Sequence, residues 1–135
     1  MKKIANFAAA GRSTKPPTAN YCAAWACGVY ASAGFGYPNN SGSAIGLWDN
    51  YKMTGSSKFE NIPPGAMIIT SGYPYNRNIN NPYGHVGIYL GDGNVISNVG
   101  GLRKESLQSF VHGCTGICRG HKGGFGWVLP GGPGK

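Results

Sequence analysis

The chain has 135 residues, 41% hydrophobic and only 12% charged, with 24 Gly and 9 Pro, which is one loop-rich domain with enough apolar material for a core. Its four acidic residues, Asp49, Glu60, Asp92 and Glu105, are too dispersed to suggest a two-carboxylate glycosidase or a carboxylate metal cage. The net charge of +8 favours polyanionic partners, whether nucleic acid, anionic membrane or bacterial wall polymers, but the basic residues form no nucleic-acid motif, and no apolar run approaches the roughly 20 residues of a membrane span.

The start, MKKIANFAAAGR, has the lysines of a secretory signal. Its apolar run of about seven residues contains Asn6 and stops at Gly11-Arg12, short for an h-region. It reads as a native N-terminus, so a protein made in the cytoplasm would reach a wall or periplasm by lysis or through a secretion or injection apparatus. Residues 1–19 read as an arm ending at Lys15-Pro16-Pro17. Asn20 can cap a helix that Gly34 ends. Cys22, Trp25, Ala26, Val29, Tyr30 and Ala33 fall on one face of it, and Gly28 marks close packing.

Residues 35–44 read as loop, followed by a short helix over about 44–52 with Leu47, Trp48 and Tyr51. IPPGAMIIT is a turn feeding a strand at 66–70. Residues 71–83 form a long polar loop with Tyr73, Tyr75 and Tyr83, of a length that is often functional. GHVGIYLGDGNVISNVG is a β-hairpin turning at Gly91-Asp92-Gly93. Residues 102–111 suggest a short helix, Phe125–Leu129 a last strand, and residues 130–135 a frayed tail. Helices followed by an antiparallel sheet make the class α+β, in a single catalytic domain over 1–135.

The chemistry begins with thiols. A thiol attacks as its thiolate, and a helix N-terminus lowers its pKa. Cys22 sits two residues past Asn20 on the apolar face; Cys27 lies about 140° further around the helix. Cys22 is therefore the candidate nucleophile. His85 opens the strand HVGIYL, where Gly84 and Gly87 leave space around it. A Cys at a helix start facing a His on a strand is the thiolate–imidazolium arrangement of cysteine hydrolases. The base needs an orienting group, and strand parity supplies two. A two-residue turn at Asp92-Gly93 sets Asn98 on the face of His85; a three-residue turn sets Ser97 there. Asn is the better fixed acceptor, and Asp-Gly favours the shorter turn, so Asn98 is preferred.

These segments resemble the NlpC/P60 and CHAP superfamily of papain-like cysteine peptidases and amidases that cut peptidoglycan. YCAAWACGVYASAG is similar to the family's Cys helix, IPPGAMIIT to the Pro-x-x-Gly strand, and GHVGIYLGDGNVIS to the His hairpin. Trp48-Asp49-Asn50 resembles the Trp-rich helix of CHAP domains. The resemblance covers about residues 18–100. It implies a papain-like fold with N-terminal helices packed on a central antiparallel sheet. It also implies Cys22 as nucleophile, His85 as base, and Asn98 or Ser97 at the third position. The family's Asp-Cys or Gln-Cys pair is here Tyr21-Cys22, so the backbone N–H of Cys22 is the oxyanion donor to look for.

The activity expected from this is cleavage of amide bonds in bacterial peptidoglycan, by an endopeptidase or an N-acetylmuramoyl-L-alanine amidase. Trp48, Tyr73 and Tyr75 are candidates for the substrate groove. The setting is a phage lysin or an antibacterial effector: a monomer without cofactor or metal, whose protein partner would be an immunity or inhibitor protein. HGCTGICRGH departs from the family. His112, Cys114, Cys118 and His121 could hold zinc, the cysteines could form a disulfide with each other or with Cys27, or the thiols could be free. Two other classes stay open: a non-catalytic wall-binding module on the same fold, and a zinc-stabilised binding protein.

Overall fold

Burial organises the computed structural model, which describes residues 2–17, 22–56, 58, 60–70, 84–111, 117–118, 121–122 and 125–130. The helix read from the apolar spacing is present as α2 (Cys22–Ser32). Its burial is broader than one face: Ala23, Cys27 and Gly28 are covered as well as Trp25, Ala26, Val29 and Tyr30. The cause lies within residues 1–19, expected to be an arm: Lys2–Ala9 form a helix, α1, which buries Ile4, Ala5 and Ala8 and sets Ile4 and Ala8 in the cluster that holds α2. The chain then doubles back over α2. Ser13 donates its hydroxyl to the Trp25 carbonyl at 2.9 Å, and the Thr14 N–H reaches the Gly28 carbonyl at 3.1 Å. A Cβ on Gly28 would strike the Ser13 hydroxyl and come within 2.9 Å of the Lys15 nitrogen, so the glycine does mark a close approach. α2 stops in a Schellman motif, with Phe35 N–H to Tyr30 O at 2.9 Å and Gly34 N–H to Ala31 O at 3.0 Å.

The short helix is α3 (Ala44–Tyr51), continued by a 3-10 turn, Lys52–Thr54. Ser43 caps it, accepting the Gly46 N–H at 3.0 Å. Four strands follow as expected in type: β1 (Met67–Thr70), β2 (His85–Tyr89), β3 (Asn94–Asn98) and, after the interval described next, a last strand at Phe125–Val128. Residues 102–111, read as one short helix, divide into β4 (Leu102–Ser106) and α4 (Leu107–Val111). The Gly100-Gly101 turn lets β4 pair along the whole of β3, from Asn98↔Leu102 to Asn94↔Ser106, and this pairing outweighs local helix preference. β5 (Ile117–Cys118) and β6 (His121–Lys122) form a two-stranded ladder, and β7 is Phe125–Val128.

The five-stranded sheet runs β4-β3-β2-β1-β7, with each neighbouring pair antiparallel. The protein is α+β. One sheet face carries Met67, Ile69, Val86, Ile88, Ile96 and Val128 into the main core under the helices. The other carries Ile68 and Val95, with Phe110 of α4 packed on them. Tyr30 ties the layers together by donating its hydroxyl to the Gly65 carbonyl. No helix among the described residues is long and apolar enough to cross a membrane. Of the expected tail, Pro130 is buried, and 131–135 lie outside the described residues.

Candidate functional site

Cys22 is the first residue of α2, where backbone N–H groups are unmatched by helical partners. It is half-buried and packs at the margin of the main core. Burial pushes its thiol pKa up from 9.0, against the downward pull of backbone hydrogen bonds from Val86, Ala23 and Cys22 itself. Two of those groups belong to the first turn of α2. The third belongs to β2 and is the peptide neighbour of His85. The sulfur therefore lies against the opening of β2 on the Val86 side, whereas the His85 ring lies on the Phe110 side of the sheet, so the structure does not bring the two side chains together. The expected cap, Asn20, lies outside the described residues, as does Tyr21.

His85 begins β2, opposite Thr70 of β1. It is fully buried, and desolvation lowers its pKa from 6.5 to about 3. Its imidazole stacks on the Phe110 ring with centroids 5.2 Å apart and planes inclined by 28°. At neutral pH the imidazole is uncharged and supplies no positive charge to lower the thiol. The expected thiolate–imidazolium pair is thus replaced, in this state, by a neutral thiol and a neutral imidazole. The reason is desolvation: it lowers the fully buried His85 and, at Cys22, outweighs what the surrounding N–H groups return.

The hairpin turn differs from the two-residue one that favours Asn98. The hairpin pairs Gly87↔Ser97, Ile88↔Ile96 and Tyr89↔Val95, and the Leu90 N–H reaches the Asn94 carbonyl at 2.9 Å. Three residues, Gly91-Asp92-Gly93, make the turn. Gly91 and Gly93 hold φ of 91° and 90°, a region open to glycine. Asp92 accepts the Asn94 N–H at 3.1 Å, and the Tyr89 hydroxyl accepts the Gly93 N–H at 3.2 Å. The two-residue turn lacks room for two left-handed glycines flanking an Asx-bonded aspartate.

This register puts Ser97 on the face of Gly87 and His85, and Asn98 on that of Val86 and Ile88. Asn98 Oδ1 instead accepts the N–H groups of Gly100 and Gly101, both at 3.1 Å, and shapes the β3–β4 turn. Ser97 is fully buried, and its hydroxyl has no hydrogen-bond partner among the described residues.

Cys27 is fully buried behind the site. Asn40 donates to its sulfur at 3.6 Å, and burial pushes its thiol up to about 12. Trp48 is half-buried and lies over β7: a Cβ on Gly126 would come within 2.6 Å of its ring. It packs against the main core. Tyr73 and Tyr75 lie outside the described residues, as do His112, Cys114 and the side chains of Cys118 and His121. The backbones of Cys118 and His121 are paired across β5 and β6. Among the described residues no three metal-ligating side chains gather. Phe110 went unnoticed in the sequence. Its signal was indirect: a glycine two residues past a buried histidine leaves room that some distant side chain must fill.

The chain is thus an α+β protein in which a helix-start thiol meets the first peptide of a strand that opens with a buried histidine. No protein-family model, curated protein or solved structure matches it.

Proposed function

We propose that this protein is a papain-like cysteine hydrolase of the NlpC/P60 and CHAP type, cutting amide bonds in bacterial peptidoglycan. The observation that carries the reading is the placement of the Cys22 sulfur at the N-terminus of α2, within hydrogen-bonding reach of the Val86 backbone next to His85. The order of elements agrees with it: α1, α2 and α3 lie on one face of an antiparallel sheet whose second strand begins with His85.

Cys22 attacks an amide carbonyl in the stem peptide or cross-bridge. His85 is the base of this reading: once its imidazole, which lies on the Phe110 side of the sheet, turns past the start of β2 toward Cys22, it accepts the thiol proton as the C–S bond forms and delivers it to the amine as the C–N bond breaks. Water hydrolyses the resulting thioester. The oxyanion is received by N–H groups of the first turn of α2. Since both partners rest uncharged, proton transfer accompanies attack instead of preceding it. The +8 charge suits approach to anionic wall polymers. The setting of this reading is a phage lysin or an injected antibacterial effector, and an immunity or inhibitor protein would be its partner in the second case.

Mass spectrometry of muropeptides released from purified peptidoglycan tests this directly. New amino termini in the stem or cross-bridge, or free lactyl groups on muramic acid, are expected with the wild type and absent with Cys22→Ala. Unchanged sacculi would overturn the reading.

A second reading is a non-catalytic wall-binding module on the same fold. The complete burial of His85 favours it. It requires that a thiol-reactive probe label Cys22 no faster than free cysteine even when wall fragments are bound, whereas the hydrolase requires acceleration.

A further inference from the structure

The N–H groups of a strand in an antiparallel sheet point alternately to its two neighbours. In β2 the Tyr89 N–H goes to the Ala66 carbonyl on the β1 side, and the Leu90 N–H crosses to the Asn94 carbonyl of β3. Val86 has the parity of Leu90, so its N–H also points toward β3. The residue that follows the Gly87↔Ser97 pair along β3 is Asn98. The Val86 N–H, however, reaches the Cys22 sulfur. The sulfur therefore sits where the hairpin would add its next rung, between Val86 and Asn98. Cα atoms across such a rung are about 5.5 Å apart.

The Asn98 side chain stands on the same side of the sheet. Ile96, two residues before it, enters the core under the helices, as Val86 does. Asn98 is buried, and its Oδ1 accepts the Gly100 and Gly101 N–H groups, both at 3.1 Å. Two bonds to one oxygen fix the plane of the amide. With the oxygen committed to the turn, the atom left for the helix side is Nδ2, which only donates.

We propose that Asn98 is a side-chain donor of the Cys22 site: its Nδ2 hydrogen-bonds the carbonyl oxygen of the amide that Cys22 attacks. This rests on the reading of Cys22 as nucleophile. As the C–S bond forms, the carbonyl π pair moves onto the oxygen. The first-turn N–H groups of α2 and Asn98 Nδ2 hold that charge, and no proton leaves Asn98. The pair returns to carbon as the C–N bond breaks, and the amine leaves with the thiol proton. Donors on the helix and on the sheet then close on the oxyanion from two sides.

Kinetics on peptidoglycan and side-chain NMR test the proposal in the intact chain. Asn98→Asp keeps an oxygen for the two turn N–H groups but exchanges the donor for an acceptor. Asn98→Ser keeps a shorter turn acceptor, adds no charge and does not reach the substrate. Both should lower kcat about a hundredfold with KM within about twofold, and Asn98→Ser carries this comparison if Asn98→Asp does not fold. A residue that only shapes the turn is served by Asp as well as by Asn, so wild-type kcat in a folded variant would overturn the proposal. In the wild type, the Asn98 side-chain amide signal, identified by its loss in Asn98→Ser, should shift when iodoacetamide alkylates Cys22. It should stay in place when Cys22→Ala is treated alike. A wild-type signal that does not move would also overturn the proposal. If wild type and Cys22→Ala act equally on the wall, the nucleophile reading fails, and the NMR comparison alone then decides whether Asn98 donates into the Cys22 site.

Discussion

What surrounds a sulfur decides what it can do, and the two cysteines of α2 are surrounded differently. Cys22 faces three backbone N–H groups at the end of a helix; Cys27 is sealed behind it with a pKa near 12. Cys22→Ala is expected to abolish wall hydrolysis while leaving the melting temperature within a few degrees. Cys27→Ala keeps most of the activity and costs stability by about 1 kcal/mol. Equal loss of turnover in two folded variants would remove Cys22 from its role. His85 sets the response to acid. Its folded pKa of about 3 lies below the ordinary 6.5. Its contribution to stability is therefore complete above pH 6.5 and is lost as the pH falls toward 3, by up to about 5 kcal/mol. Denaturant melts at pH 7 and pH 4 should show a larger loss for the wild type than for His85→Gln; parallel losses would mean another group governs acid unfolding. The positions of Cys22 at a helix start and His85 at a strand start were legible because both are local patterns. Asn98 was misread because parity changes with one residue of turn, and Phe110 because stacking across the sheet leaves no mark in local spacing.

Elements were legible where their own residues decide them, and less so where partners do. α2, α3, β1, the hairpin and β7 carry periodicity or turn chemistry of their own. α1 does not: it is short and flanked by glycine and lysines, and it becomes a helix that buries Ile4 against α2. Ile4→Ala should then cost about 3 kcal/mol in denaturant unfolding, whereas a loose arm would tolerate it. β4 likewise exists because β3 lends it a ladder of hydrogen bonds. The register of that ladder gives opposite expectations for two adjacent residues. Asn98→Ala removes the acceptor of two N–H groups in the β3–β4 turn and should destabilise by about 1–2 kcal/mol. Ser97→Ala removes a buried hydroxyl without a partner among the described residues and should be neutral or stabilise by about 1 kcal/mol. The reverse order in calorimetry would restore the two-residue turn.

Charge acts over the whole molecule. Lys2, Lys3, Arg12, Lys15, Lys52, Lys58, Arg103 and Lys104 are all exposed, against exposed Asp49, Glu60 and Asp92. Arg12 lies over the Phe7 ring at 3.9 Å and Lys3 at 5.7 Å, so cations gather at α1. A Cβ on Gly11 would touch Leu102 at 3.2 Å, which brings the end of α1 beside β4 and its Arg103-Lys104. β4 is an edge strand, and these charges also discourage pairing with another sheet. Fields of this kind speed encounter with a polyanion and are screened beyond about 8 Å at physiological ionic strength. Lysis of whole cells should therefore slow as salt rises, while hydrolysis of a small neutral stem-peptide substrate stays level. Replacing Lys3, Arg12 and Lys104 together by Gln should flatten the salt dependence on cells and leave the small-substrate rate near wild type. A salt profile on cells that is already flat for the wild type, or a triple variant as salt-sensitive as its parent, would show that the charge serves the edge strand and solubility instead of delivery to the wall.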